Sequence, residues 1–294
     1  MQERVGPAHP FATLFVIVEL KYGLMPPLHI DWNVDPVLVD LGIAQIHWYG
    51  VLFATGFFLG YLVVQRMFVW EEKPMRDLEP LFFYVIGGAV IGARLGHIVF
   101  YNLTYYVLNP VEIFYIHQGG LASHGGGIGI IIALYFYARS RPDQPYLWVT
   151  DRVVVPMALA GMFIRIGNVF NSELYGMPAD VPWAFVFERV DAVPRHPVQL
   201  YEALAYGLIF MVLFLVYRWR IYPHTQQEQQ GAAQHGLLSG LFLVLVFTAR
   251  FGLEFFKAPV SDLVQVLPID MGQLLSIPAV LLGLWLLWRV PRPA

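Results

Sequence analysis

The most chemically distinctive stretch of the chain is residues 165–176, where one cation is followed by two amides and a carboxylate. An arginine guanidinium is a planar fork of N–H donors that suits bidentate binding of a phosphate or a carboxylate. If the helix continues, Arg165, Asn168 and Ser172 lie on one face, and Asn171 adds a second amide. The pattern favours an anion-binding site. The alternative is that Arg165 pairs with Glu173 to organise a loop.

A glycine-rich run, residues 119–129, surrounds His124. Glycines allow close approach of a neighbouring backbone, and histidine is the side chain that most readily gains and loses a proton near neutral pH. His124 is therefore a candidate general base, and the alternative is tight helix packing around a hydrogen-bonded histidine. Ser123 precedes His124 directly. Because adjacent residues on a helix point apart, a serine hydrolase is not favoured.

Two further groups of charged residues lie in apolar surroundings. Arg250 and Glu254 are one turn apart, in the order that gives the weaker intrahelical pair. We expect each to find a partner on another helix, with a self-neutralising pair as the alternative. His196, Gln199 and Glu202 are spaced by three at the start of another apolar stretch. A functional helix end and a solvated helix N-terminus fit that spacing equally well.

Two smaller groups complete the set. Arg94, His97 and Tyr101 fall on one helical face. Tyr49 opens the first long apolar stretch directly after Trp48, which is expected to anchor that helix at a membrane interface.

The composition places these residues in a membrane. Of the 294 residues, 57% are hydrophobic and 13% charged, whereas soluble domains carry about a quarter charged residues. With a net charge of −3, this excludes a disordered chain and a nucleic-acid binder with a basic face. The absence of cysteine excludes disulfides, zinc–thiolate sites and an enzyme thiol nucleophile. Seven stretches are long enough to span a bilayer: residues 49–69, 80–101, 121–138, 151–170, 199–219, 237–257 and 272–289.

The basic residues predict the orientation of these spans. Arginine and lysine concentrate after the first, third and fifth spans and at the end of the chain, which assigns those segments to the cytoplasm. We therefore expect an all-α integral membrane protein with about seven transmembrane helices, an outside N-terminus and a cytoplasmic C-terminus. Residues 1–48 are expected to be extracytoplasmic or interfacial, since the apolar run 11–20 is too short to span. Residues 49–289 form the transmembrane catalytic domain, with an extracytoplasmic loop at about 171–198, and residues 290–294 form a cytoplasmic tail.

Several cations and one candidate base thus converge near the outer leaflet. Arginine forks facing the bilayer suit an anionic phospholipid headgroup, and a nearby histidine can deprotonate an incoming nucleophile. Since the chain has no cysteine, any thiol in the reaction must come from a substrate. The competing function is non-catalytic phospholipid binding or transport, which broken helices and paired halves would favour. Neither feature is evident in the sequence.

In its ordered motifs the sequence resembles the prolipoprotein diacylglyceryl transferases of bacteria. The motifs are residues 47–50, 92–102, 119–126, 165–176, 195–202, 250–256 and 271–278. The resemblance implies a multi-pass enzyme of the bacterial inner membrane with seven spans. It would transfer the diacylglyceryl group of phosphatidylglycerol to the lipobox cysteine thiol of a preprolipoprotein, forming a thioether and releasing glycerol phosphate. Its partners would be these two substrates and the membrane, without nucleic acid, and it would act as a monomer.

The resemblance also leads to a mechanistic hypothesis. His124 would raise the thiolate fraction of the substrate, while Arg165 and Arg250 would clamp the phosphate and stabilise charge on the leaving group. Glu173 and Glu254 would hold the arginines in place. No metal or cofactor is expected. The predicted catalytic residues are His124, Arg165, Arg250 and Tyr49, and the predicted substrate-binding residues are Arg165, Asn168, Asn171, Glu173, Gly176, Arg250, Glu254, Arg94 and His196.

Overall fold

The structure, a computed structural model, describes residues 29–116, 119–222, 234–258 and 269–290. The apolar run at residues 11–20 and the tail residues 291–294 lie outside the described residues. The described chain is mostly helical. Its α-helices are α1 (Trp48–Trp70), α2 (Leu78–Tyr101), α3 (Leu103–Leu108), α4 (Ser123–Arg139), α5 (Tyr146–Phe170), α6 (Val198–Val216), α7 (Leu237–Leu253) and α8 (Met271–Arg289).

Within the described ranges, six helices are long and apolar enough to cross a membrane, namely α1, α2, α5, α6, α7 and α8, and three of them are extended by a short 3-10 or π turn. The remaining predicted span corresponds to α4, which has 17 residues, or about 26 Å of helical rise. A helix therefore lies at every predicted stretch. The predicted helical membrane architecture is confirmed.

The fourth predicted span forms despite its proline and its charges. Pro156 lies inside α5, which begins at Tyr146, five residues before the predicted start. Asp151 accepts a hydrogen bond of 2.8 Å from the backbone N–H of Ser239, at the start of α7. Arg152 forms an ion pair of 2.8 Å with Glu71. Each buried charge thus has a partner on another segment, as a buried ion requires.

Helices α2 and α4 pack backbone against backbone through glycines. A Cβ atom at Gly88 would lie 2.7 Å from the carbonyl oxygen of Gly129, and one at Gly96 would lie 2.7 Å from the Cα atom of Gly125. Only glycine allows this approach. The glycine-rich run is therefore, at least in part, a helix-packing surface, and it fixes the start of α4, where His124 lies.

Five short strands were not predicted. Strand β1 (His29–Trp32) pairs in parallel with β4 (Ala184–Phe187), which pairs antiparallel with β5 (Pro194–Arg195). Strands β2 (Val37–Asp40) and β3 (Gln45–His47) form a hairpin that leads directly into α1. Strand β1 and the loop after α5 therefore fold together into one region.

Helix α5 links two polar clusters. Arg152 lies near its start and Arg165 near its end, about 20 Å apart along the helix axis. Between them the interior is apolar, with side chains of α1, α5, α6 and α7 packed together, including Met67, Val155 and Leu213. The cluster around Arg165 therefore lies at the opposite end of the bundle from the Glu71–Arg152 pair.

Candidate active site

The end of α5 places the first group of predicted site residues. The helix stops at Phe170 in a Schellman arrangement, with Glu173 N–H bonded to Asn168 O at 3.1 Å and Ser172 N–H bonded to Val169 O at 3.0 Å. Ser172 adopts a left-handed conformation, with φ 53°. The expectation that Ser172 shares a helical face with Arg165 is wrong, because the helix ends before it. The chain folds back over the helix end instead.

This turn brings Glu173 onto two amides. Its Oε1 atom accepts hydrogen bonds from Asn168 Nδ2 at 2.7 Å and from Asn171 Nδ2 at 3.2 Å. Asn168 is buried and Glu173 is exposed. Three predicted substrate-binding residues therefore form one hydrogen-bonded unit. In the described structure, neither Asn171 nor Glu173 forms a hydrogen bond or an ion pair with an arginine side chain.

Arg165 pairs with a different acid. Its Nε atom lies 3.0 Å from Oε2 of Glu202 on α6, and its Nη1 atom donates to Asn168 Oδ1 at 3.4 Å. The other Glu202 oxygen lies 2.9 Å from Nζ of Lys257, which is also 3.1 Å from Oε2 of Glu254. A chain of alternating charges thus joins the ends of α5 and α7 through the start of α6. The hypothesis that Glu173 holds Arg165 is wrong.

Arg250 lies in the last turn of α7 and is half-buried. Among the described residues, no acidic side chain forms an ion pair with it. Glu254 bonds to Lys257 rather than to Arg250, and it lies against Gly272 so closely that a Cβ there would be 2.6 Å from its carboxyl carbon. The self-neutralising pair does not form, and Glu254 does not hold Arg250.

Gly176 lies where three backbone segments meet. Its N–H donates to His196 O at 2.9 Å, and the next N–H, of Met177, donates to Phe256 O at 2.8 Å. A Cβ atom at Gly176 would lie 2.6 Å from Phe256 O and 2.7 Å from the His196 Cβ atom. Gly176 therefore fixes the loop after α5 to the end of α7. The His196 side chain lies on the same joint, with Nδ1 3.1 Å from the Tyr201 hydroxyl.

Tyr49 joins the cluster from α1. Its ring packs on Gly167, where a Cβ atom would lie 2.8 Å from Tyr49 Cδ2. Glu173 and Arg165 are both close enough to act electrostatically on its phenol. The second residue of α1 and the last turns of α5 therefore face the same site.

Arg195, the cation beside this joint, is already neutralised. Its Nη2 atom lies 2.5 Å from Oδ2 of Asp191, and its guanidinium stacks over Tyr175 at 5.0 Å. Hydrogen bonding from Arg195 holds the pKa of Asp191 below its usual range. Arg195 thus has an acidic partner within the loop, whereas no acidic side chain among the described residues pairs with Arg250.

His124 and Arg94 lie together in a second cluster. Arg94 is 5% exposed, and it donates to backbone carbonyls of the segment before α4, including Ile113 O at 2.9 Å and Gly119 O at 2.8 Å. Its guanidinium stacks over Tyr106. His124 is exposed and contacts Phe100 edge-to-face, with ring centroids 5.1 Å apart. Within the described chain, no hydrogen bond or ion pair joins His124 to Arg165 or Arg250.

Sequence reasoning missed two members of the site. In the sequence, Glu202 stands out only for its spacing from His196 and Gln199, and Lys257 does not stand out. Glu202 is fully buried together with Gln199, so the solvated helix N-terminus is wrong. An acid five residues into an apolar stretch was the available signal.

Comparison with known proteins decides the family. A family model described as prolipoprotein diacylglyceryl transferase matches residues 36–289. The chain belongs to this family. A protein of Chloroherpeton thalassium named phosphatidylglycerol–prolipoprotein diacylglyceryl transferase is 49% identical over 267 residues, covering 90% of this chain and 96% of its own length. Its namesake from Tolumonas auensis is 47% identical over 256 residues, covering 87% and 95%.

A third relative of the same name, from Porphyromonas gingivalis, is 41% identical over 280 residues, covering 90% of this chain and 96% of that protein. The resemblance seen in the motifs is thereby confirmed. Every predicted site residue of this diacylglyceryl transferase family member lies inside the matched range. The structure places His124 and Arg94 at the α2–α4 end of the site and Asn168, Glu173 and Tyr49 around Arg165, with Arg250 in the last turn of α7.

Proposed function

We propose that the protein transfers the diacylglyceryl group of phosphatidylglycerol to the lipobox cysteine thiol of preprolipoproteins. The family match across residues 36–289 carries this proposal, and relatives that it matches over nearly their whole length bear the name of that activity. The cations at one end of the bundle support it, since the lipid substrate carries one phosphate. The products are a thioether-linked lipid and glycerol phosphate.

The reaction forms an S–C bond and breaks a C–O bond. The thiol proton passes to a base, for which we propose His124, and the thiolate attacks the diacylglycerol carbon that carries the phosphate oxygen. The C–O electron pair leaves with glycerol phosphate. A free cysteine thiol has a pKa of about 8.5, so a base that increases the thiolate fraction accelerates the step. His124 is exposed at the first turn of α4, where an incoming peptide can reach it.

Arg165 and Arg250 would bind the phosphate. Arg165 uses Nε for Glu202, which leaves the Nη end of its guanidinium directed elsewhere, and Arg250 has no acidic partner among the described residues. Two forks of this kind can neutralise the charge that develops on the leaving oxygen. Loss of one such contact commonly costs about 10²–10³ in rate. We propose that Asn168, Asn171 and Glu173 contact the headgroup or the peptide, as does Tyr49.

Four of the predicted residues would hold other parts of the site in place, namely Arg94, Gly176, Glu254 and His196. Arg94 holds the segment that precedes His124 through backbone carbonyls, and Gly176 and His196 hold the loop against the end of α7. Glu254 fixes Lys257. None of the four needs to touch the phosphate to be required for turnover.

We further propose that α4 completes a set of seven spans, with the Arg165 end outside and the C-terminus cytoplasmic. The arginines after α1, α4 and α6 lie at the other end of the bundle, as the positive-inside rule requires. The membrane would be the bacterial inner membrane, residues 1–48 and 171–198 its extracytoplasmic region, residues 49–289 the catalytic domain, and 290–294 the cytoplasmic tail. A monomer suffices, because one chain supplies every proposed catalytic side chain, and no nucleic acid takes part.

A mass assay tests the proposed activity. The purified protein is reconstituted with phosphatidylglycerol and a synthetic lipobox peptide, and we expect a diacylglyceryl mass gain together with released glycerol phosphate. The gain must vanish with a Cys→Ser peptide. If phosphatidylglycerol binds but no peptide gains mass, the protein is a lipid-binding member of the family and the proposed reaction is wrong.

A further inference from the structure

Glu202 is the most deeply buried charge at the proposed phosphate site, and the reaction described above does not use it. It lies in the second turn of α6 with 0% of its surface exposed. Its two oxygens contact different cations, Arg165 at 3.0 Å and Lys257 at 2.9 Å. One carboxylate therefore joins three segments of the chain.

Burying such a carboxylate raises the free energy of the folded protein unless cations surround it. Moving an ion into a protein interior costs several kcal/mol after relaxation, and only well-placed opposite charges recover that cost. Arg165 and Lys257 balance the charges of Glu202 and Glu254, so the four side chains together carry no net charge. Glu202 is thus neutralised without making this end of the bundle negative.

The contact also fixes how Arg165 can act. Glu202 takes the Nε side of the guanidinium, and the remaining contact, from Nη1 to Asn168, is long at 3.4 Å. The contact with Glu202 is an ion pair without hydrogen-bond geometry, so Glu202 acts on the guanidinium by charge and favours the orientation in which Nε faces the acid and the terminal Nη pair points away from it. That pair is the edge that binds a phosphate in a bidentate manner.

We propose that Glu202 is a positioning residue that orients the Arg165 fork and holds Lys257 beside it, so that both present to the lipid phosphate. This inference rests on the proposed transferase function, but it predicts binding as well as turnover. A purely electrostatic effect has the opposite sign, because removing an acid makes the site more positive and would tighten anion binding. Removal of Glu202 should therefore weaken anion binding if Glu202 positions Arg165, and should tighten it if Glu202 acts only through its charge on the anion.

The experiment compares Glu202→Gln with wild type in the reconstituted full-length protein. Free glycerol phosphate serves as the probe, through its inhibition constant and its equilibrium binding. We expect its affinity to fall about 10-fold, the value of one charge-assisted hydrogen bond. We expect kcat/KM for phosphatidylglycerol to fall about 10²-fold, as for a misplaced binding group, while KM for the lipobox peptide stays unchanged. Glu202→Asp should recover part of both losses.

Glu71→Gln is the matched control, because it removes the carboxylate of the buried Glu71–Arg152 pair at the opposite end. It should lower the thermal midpoint without changing glycerol phosphate affinity. If Glu202→Gln does not accumulate, Lys257→Met and Lys257→Arg replace it, and only Lys257→Met should weaken binding. Unchanged or tighter binding in Glu202→Gln, or in Lys257→Met, would overturn the inference. A wild-type protein that binds glycerol phosphate but transfers no lipid would instead contradict the proposed function.

Discussion

Substitution of Gly176 by alanine tests whether the joint between the loop and α7 is needed for turnover. The added Cβ would lie 2.6 Å from Phe256 O and 2.6 Å from Val198 Cγ2. Restoring an ordinary contact of 3.4 Å from Phe256 O requires the two backbones to separate by about 0.8 Å. Phe256 O accepts from Met177 N–H, and Lys257 follows it directly, so the displacement reaches the cation beside Glu202.

A shift of this size predicts both a stability and an activity effect. Overpacking of this kind costs about 1–3 kcal/mol in stability, and a misplacement near 1 Å costs about 10² in rate. Lipobox-peptide lipidation and the thermal midpoint are measured on the same preparation of Gly176→Ala. Gly252→Ala is the control, since a Cβ at Gly252 meets nothing within 4 Å. Wild-type turnover and stability in Gly176→Ala would refute the argument from contact geometry.

Substitutions at three further positions probe individual ionisable side chains. Arg250→Ala should lower kcat about 10²–10³-fold. Arg250→Lys should recover only part of that loss, because lysine lacks the planar guanidinium fork. Equal turnover in the wild type and both variants would show that Arg250 does not bind the phosphate. Asp151→Asn should cost about 1–3 kcal/mol in chemical unfolding through its bonds to the start of α7, with kcat unchanged; a matching loss of kcat would contradict the separation of the two ends. Burial lowers the pKa of His235 to about 4, so stability should fall as the pH drops from 6.5, where the unfolded chain takes up the proton, toward 4. His235→Gln should flatten that slope in thermal unfolding, and a slope that persists would assign it to other groups.

The helices could be predicted from the sequence because each one is encoded locally. A run of about 20 apolar residues has few alternatives to a spanning helix, and the structure places a helix at all seven predicted stretches. The misjudged boundary, at the start of α5, concerns Asp151 and Arg152. Their partners lie on segments far away in the sequence, so no local pattern could show that these charges are compensated.

The site residues were predicted by type, but their contacts were not. The pairing of Arg165 with Glu202, rather than with Glu173, depends on how α5 packs against α6. The Schellman turn has Ser172 at its left-handed position, where glycine is the usual sequence signal of such a helix end. The β1–β4 pairing joins strands more than 150 residues apart in the chain. These features arise from tertiary packing, which helical periodicity does not record.

The distribution of partners among the arginines explains why this end of the bundle would bind an anion. Arg94 is satisfied by carbonyls, Arg195 by Asp191 and Arg152 by Glu71. Arg165 is paired with Glu202. Arg250 is therefore the one member of these five cations that has no such partner in the described structure. A cation at the membrane boundary without a counter-ion is costly for the free protein. A lipid phosphate supplies that counter-ion. The free energy cost of holding the unpaired cation is already met when the free protein folds. The site therefore needs little reorganisation when charge develops on the leaving oxygen.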